Sequence, residues 1–237
     1  MSVPGRPGAG LANSPWEGAK WMAVACMALN HVGLMWASPW QDCAFLAGRV
    51  SLPVFSLLVV YHLRHETEAK ASRYLLRLLI WALVAQPIYA MLFSFGAWGR
   101  LNALATLASG VCLIYLADRL GPVAAAMGAW LVYEQGGWLE GGAWMPLGQL
   151  VAWYALRYSA QAWPLCVWWI AVLAFGMNWQ AMDGVTPMAW AAVVLTPLAM
   201  GVSPGISGRL PRLPGWLFYA FYPCHLAVIL WLKGLWV

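Results

Sequence analysis

The sequence predicts an all-α, polytopic integral membrane bundle of about nine transmembrane helices, with the amino terminus in the cytoplasm. Three observations predict it. The 237 residues are 63% hydrophobic and only 9% charged, with a mean hydropathy of +0.68, which excludes an ordinary soluble domain. The apolar runs are long and lack the alternating polar pattern of a transmembrane barrel strand, so the spans are helices. The basic residues are also asymmetric. With the amino terminus inside, Arg6, Lys20, Arg64, Lys70, Arg73, Arg77, Arg119, Arg157, Arg209 and Arg212 fall on the cytoplasmic side. Arg100 and Lys233 fall opposite, and Arg49 lies within a span. The same topology sends Asp42, Glu134, Glu140 and Asp183 to outer loops, so the net charge of +5 reflects membrane orientation and carries no nucleic-acid signature.

Taken in order, residues 1–16 read as a short cytoplasmic arm and residues 17–237 as a single membrane domain with no internal repeat. No apolar run or cleavage pattern precedes the first span, 17–38, which is expected to act as an uncleaved signal anchor. Ser14-Pro15-Trp16-Glu17 has the pattern of a capping box, with Ser at N-cap, Pro at N1 and Glu at N3. The next spans are expected at 44–62, 74–95, 101–118, 122–133, 144–158, 163–179, 187–202 and 215–236, separated by Pro/Gly-rich or charged breaks. The spans at 122–133 and 144–158 are short. The Gly-rich stretch joining them is a candidate re-entrant segment, which widens the count to eight to ten. Many of the 18 Trp, among them Trp16, Trp138, Trp144 and Trp216, fall near span ends, as interfacial belts require. The five cysteines (Cys26, Cys43, Cys112, Cys166, Cys224) are scattered, with Cys43 in a loop. Their spacing gives neither a metal site nor a disulfide framework, so they read as small apolar packers.

Ionisable side chains are expensive in hydrocarbon and mark substrate or proton paths, which singles out Asn30-His31 in the first span. Lys20 lies eleven residues earlier, roughly 16 Å away at helical rise, at the membrane edge. Arg49 in the second span, Gln86-Pro87 in the third and His225 in the last are expected at similar depth. Two histidines, an arginine and an amide converging there suit proton abstraction beside a stabilised oxyanion. The competing reading is a purely structural polar network between helices.

The second constellation is the most charged stretch of the chain, His62-Leu63-Arg64-His65-Glu66-Thr67-Glu68-Ala69-Lys70-Ala71-Ser72-Arg73, with Arg77 one turn further on. Its bland reading is a topogenic loop. Its functional reading is a phosphate site, since Arg binds phosphate bidentately and Lys as a point charge.

These residues resemble a known family. Arg49…Pro53-Val54-Phe55, Arg64-His65, Lys70 and the run Arg73-Tyr74-Leu75-Leu76-Arg77 through Gln86-Pro87 are similar to the TraX family of conjugative pilin acetylases. Asn30-His31-Val32-Gly33, Asn102 with Thr106-Leu107, and Phe221-Tyr222-Pro223-Cys224-His225-Leu226 extend the match over nearly the whole chain. The Lys20-x10-His31 spacing also resembles the basic-x10-His signature of the broader transmembrane acyltransferase superfamily. One departure stands out: the family commonly carries Asp before the histidine, where this chain has Asn30.

The resemblance implies acetyl transfer from acetyl-CoA to the amino terminus of a processed pilin, in a multi-pass protein of the bacterial inner membrane and without a metal. It places Lys20, Arg64, His65, Lys70, Arg73 and Arg77 at the donor's phosphates, and His31 as general base, with an acetyl-His31 intermediate as a variant. Arg49 or Gln86 would then steady the oxyanion. Asn30 and His225 would support the base, and Asn102 and Tyr222 would contact the acceptor. The expected partners are pilin or another envelope acceptor and membrane lipid, with a homo-oligomer left open. Rival readings keep the chemistry but move it to a sugar or glycan hydroxyl, or make the chain a non-catalytic pilin chaperone or scaffold, or a proton-coupled transporter.

Overall fold

The apolar runs fold into ten α-helices: α1 (Glu17–Gly33), α2 (Gln41–Gly48), α3 (Ser51–Leu63), α4 (Glu68–Leu92), α5 (Ala103–Leu120), α6 (Pro122–Glu134), α7 (Trp144–Tyr158), α8 (Trp163–Ala181), α9 (Pro187–Ser207) and α10 (Gly215–Leu235). This computed structural model describes residues 14–33, 41–65, 68–93, 99–181, 187–212 and 214–235. Most of the expected arm, with Arg6, lies outside the described residues, as do Glu66, Thr67 and Asp183. Among the described residues no strand forms, and the single β-bridge joins Leu101 to Leu139.

Five stretches are long and apolar enough to cross a membrane: Leu46–Leu63, Lys70–Leu92, Ala103–Leu120, Trp190–Ser207 and Gly215–Gly234. Large apolar side chains such as Leu83, Met91, Val123, Leu165, Trp216 and Trp231 stand exposed on the outside of the bundle. In water that surface would aggregate, and lipid covers it without cost. The expected short spans 122–133 and 144–158 become α6 and α7. Their 13 and 15 residues fall short of the roughly 20 that an upright crossing needs.

The expected span 44–62 is met by the stretch Leu46–Leu63, which is built from two helices. α2 ends at Gly48 and α3 begins at Ser51, with the chain turning through Arg49 and Val50. At the end of α2, a Cβ on Gly48 would run into the Asn30 side chain, so α1 and α2 touch backbone to side chain there. Cys43, expected in a loop, is helical in α2, and all five cysteines are free thiols. Between α5 and α6 the chain reverses in one residue. Gly121 takes φ +86°, a conformation costly for any residue with a Cβ, and Pro122 opens the next helix.

The capping box at α1 is also corrected. Glu17 does not reach back to Ser14; it is fully buried and pairs with Lys20 at 2.7 Å. The open amides of α1 are capped from α9 instead. Gly18 N–H donates to Ser207 Oγ at 2.9 Å and Ala19 N–H to Ser203 Oγ at 2.8 Å, while both hydroxyls donate to Pro15 O. Gly18 is required for this approach, because a Cβ there would meet the Ile206 side chain at 2.6 Å. Trp16, expected at an interface, is buried between Tyr61 and Trp163. Inside the bundle α1 packs on α2, α3, α9 and α10, α10 packs on α4, and α5 is held between α4, α6 and α7.

Candidate functional site

Helices α1, α3, α4, α5 and α10, with the turn between α6 and α7, enclose a cavity of about 940 Å³. Lys20, His62 and Arg77 line it toward one end of α1, α3 and α4. Asn30, His31, Arg49, Tyr89, Arg100, Glu140 and Tyr222 line it further along. Met27, Leu52, Phe55, Leu58, Val59 and Leu78 make the wall between them apolar.

His31 and His225 meet across α1 and α10, with His31 Nδ1 2.7 Å from His225 Nε2. The proton positions follow from the partners. His225 Nδ1 lies 2.8 Å from the carbonyl oxygen of Phe221, which only accepts, so Nδ1 carries the hydrogen. In a neutral ring Nε2 of His225 is then an acceptor, and His31 Nδ1 must donate to it. That leaves the lone pair of His31 on Nε2. His31 is buried and lines the cavity, whereas His225 does not line it and stacks on Phe221. His31 packs against Phe93 and Tyr222, so its ring is fixed by contacts on several sides.

Beside the histidine, Arg49 Nη2 donates to Asn30 Oδ1 at 3.1 Å. The carbonyl of Asn30 therefore holds the arginine. The orienting bond to the imidazole comes from His225, so its tautomer does not depend on a carboxylate at position 30.

Tyr222 links this group to a residue that sequence reasoning left in an outer loop. Its hydroxyl donates to Glu140 Oε2 at 3.1 Å and accepts from Ala103 N–H at 3.4 Å, in the first turn of α5. Burial pushes the Glu140 carboxyl above the usual carboxylate range, against the pull of the Tyr222 hydroxyl, the Ala103 amide and the charges of Arg49 and Arg100.

A family model described as TraX protein matches residues 16–233. The chain belongs to the TraX family. It is 30% identical over 217 residues to "Protein TraX" of Escherichia coli, covering 89% of this chain and 84% of that relative. It is 27% identical over 230 residues to "Probable fimbrial assembly protein FimC, serogroup H1" of Dichelobacter nodosus, covering 89% and 92%. No solved structure matches it.

Of the positions that carry the TraX resemblance, the structure brings His31, Asn30, Arg49, His225 and Tyr222 together at one site. It does not bring Gln86 and Asn102 to the cavity. Asn102 is fully buried, and its side-chain oxygen accepts from Leu104 N–H and Ala105 N–H as the cap of α5. Its amide donates to Ala82 O at 2.8 Å and to Gln86 Oε1 at 2.9 Å. Gln86 in turn donates to Arg100 O at 2.8 Å. The pair clamps the 99–102 turn to α4.

The basic cluster divides as well. Lys20 and Arg77 line the cavity, while Arg64, His65, Lys70 and Arg73 do not. The Arg64 guanidinium lies 3.5 Å over the Tyr61 ring and donates to Tyr61 O, and His65, Lys70 and Arg73 are exposed. His62, Tyr74 and Tyr219, to which sequence reasoning gave no role of their own, line the same end. The His62 signal was available, since it opens the basic stretch.

Proposed function

We propose that this protein is a membrane-embedded acetyltransferase that moves an acetyl group from cytoplasmic acetyl-CoA to the amino-terminal amine of a pilin subunit, in the bacterial inner membrane. The observation that carries the reading is the His31–His225 pair, with His31 facing a large cavity that is cationic at its far end. The names of the two relatives, a TraX protein and a fimbrial assembly protein, support the choice of a pilus subunit as acceptor.

The cavity fits such a donor. Its 940 Å³ stands at the upper end of the range of about 300–1,000 Å³ for small-molecule sites. Lys20 and Arg77 would hold phosphates, and the apolar wall from Met27 to Leu78 suits a thin, largely uncharged arm. Lys20 is already neutralised by Glu17, which leaves Arg77 as the stronger anion contact.

His31 Nε2 takes the proton of the acceptor amine as the amine nitrogen bonds the acetyl carbon. It returns that proton to the departing thiolate sulfur as the carbon–sulfur bond breaks. His225 accepts the Nδ1 hydrogen of His31 throughout, holding the tautomer and sharing the charge of the transient imidazolium. Arg49, pinned by Asn30 beside His31, stabilises negative charge on the carbonyl oxygen.

The test is reconstitution. Purified protein in liposomes receives acetyl-CoA and a peptide with a free amino terminus, and mass spectrometry reads the product. A peptide blocked at its amino terminus but keeping its serines serves as the hydroxyl control. Acetylation of the free amine is the expected result. Acetylation of the blocked peptide alone would move the reaction to hydroxyls, and no acetylation of either would overturn the enzyme reading.

A further inference from the structure

The turn between α6 and α7 is built with unusual stringency for a loop. Leu101 N–H donates to Trp138 O, and Glu140 N–H donates to Leu101 O at 2.9 Å, so the turn is stitched to the residues before α5. Gly141 and Gly142 take φ +135° and +63°, and a Cβ on Gly136 would meet that of Ala143 at 2.7 Å. Three glycines are thus fixed by geometry, and all three line the cavity together with Gly137. The result is a glycine-rich stretch of wall beside the Glu140 carboxylate, which lines the cavity and is anchored by Tyr222.

One tyrosine separates that carboxylate from the base. The Tyr222 ring lies 6.3 Å from the His31 ring, while its hydroxyl is on Glu140. A second carboxylate, Glu134 at the end of α6, lines the same mouth. Among the described residues no carboxylate lines the cavity beside Lys20 and Arg77 at the other end, where Glu17 pairs with Lys20. The carboxylates that line the cavity are thus confined to the Glu140 end.

We infer that Glu140 is the acceptor-binding residue. It takes the ammonium group of the incoming amino terminus and receives one of its protons, so that a neutral amine with its lone pair goes on to His31, while the glycine wall admits the first residues of an extended peptide. This rests on the acetyl-transfer reading and adds the residue that selects a charged amine over a hydroxyl. A buried carboxylate gains most from a cation that arrives with its own hydrogen-bond donors, and an ammonium brings three. Arg49 and Arg100 also line this region, and the Ala103 amide reaches the same group. Glu140 thus stands among fixed positive groups and hydrogen-bond donors, beside glycines that line the same cavity.

The experiment separates binding from turnover. Calorimetry on the full chain in detergent compares two peptides that differ only at the first position, one with a free amino terminus and one with hydroxyl in its place. The wild type should bind the amine at least about tenfold more tightly, the scale of a charge-assisted hydrogen bond. Glu140→Gln should lose that preference while acetyl-CoA binding is unchanged, and Glu140→Asp should restore part of it. Equal binding of the two peptides by the wild type would overturn the inference without a variant being folded at all. A preference that survives in Glu140→Gln would overturn it equally. Because no turnover is read, a wild type that discriminates amines yet never acetylates them would refute the enzyme reading alone.

Discussion

Two buried polar groups in this bundle look alike in sequence and differ in one physical respect. Gln86 pairs with Asn102 in one group, and Asn30-His31 meets Arg49 and His225 in the other, although the sequence placed Gln86 in a single mid-depth set with His31 and gave Asn102 to the acceptor. In the first, the Asn102 amide and carbonyl bond Ala82, Gln86 and the open amides of α5, and neither residue reaches the cavity. In the second, the bonding fixes His31 Nδ1 and leaves Nε2 on a ring that lines the cavity. Both satisfy the membrane's demand that polar groups be paired. A site capable of chemistry differs by keeping one valence for a visitor.

The largest effect should come from His31→Ala. Removing a general base costs about 10²–10⁴-fold in rate, and acetyl transfer should fall on that scale while folding in detergent and donor binding persist. His225→Ala should be milder, at about 10–100-fold, as expected for an outer partner of a functional imidazole. His225→Gln should recover part of the loss, because its carbonyl can still accept from His31 Nδ1. Near-normal turnover in both alanine variants would dissolve the distinction between the two groups.

Asn102→Ala should show the opposite signature. It removes a helix cap worth about 1 kcal/mol and strands buried partners at about 1–3 kcal/mol. Thermal unfolding should shift clearly downward, while turnover per folded molecule holds. A rate loss with unchanged stability would place Asn102 at the site after all.

The smallest effect concerns the basic stretch. Arg77→Ala should weaken acetyl-CoA binding several-fold, in a salt-dependent way, and a Lys70→Ala/Arg73→Ala double variant should barely change it. Equal losses would mean that the whole stretch, and not the part lining the cavity, receives the donor.

The membrane class and the helical runs were legible because apolar length is written directly in the sequence. Four site residues, Asn30, His31, Arg49 and His225, were legible because charge and imidazole stand out against hydrocarbon. Other features depend on contacts between distant segments. Glu140 read as an ordinary loop acid, since nothing local tells that Leu101 stitches its turn inward. The saturation of Gln86 by Asn102 needs two helices in register. The close approach of Asn30 to Gly48, beside the turn at Arg49, joins two helices and is not recorded in composition.

The serine caps on α1 bear on how the chain is made. The two amides that Ser203 and Ser207 satisfy lie 184 and 189 residues ahead of them, and His31 meets its partner 194 residues later. α1 thus enters the bilayer before the serines that cap its end and the histidine that pairs its imidazole have been made. Both are settled when α9 and α10 arrive. A chain released before residue 203 would hold an incomplete first helix, open to proteolysis. The candidate site therefore closes only once α10 has been made.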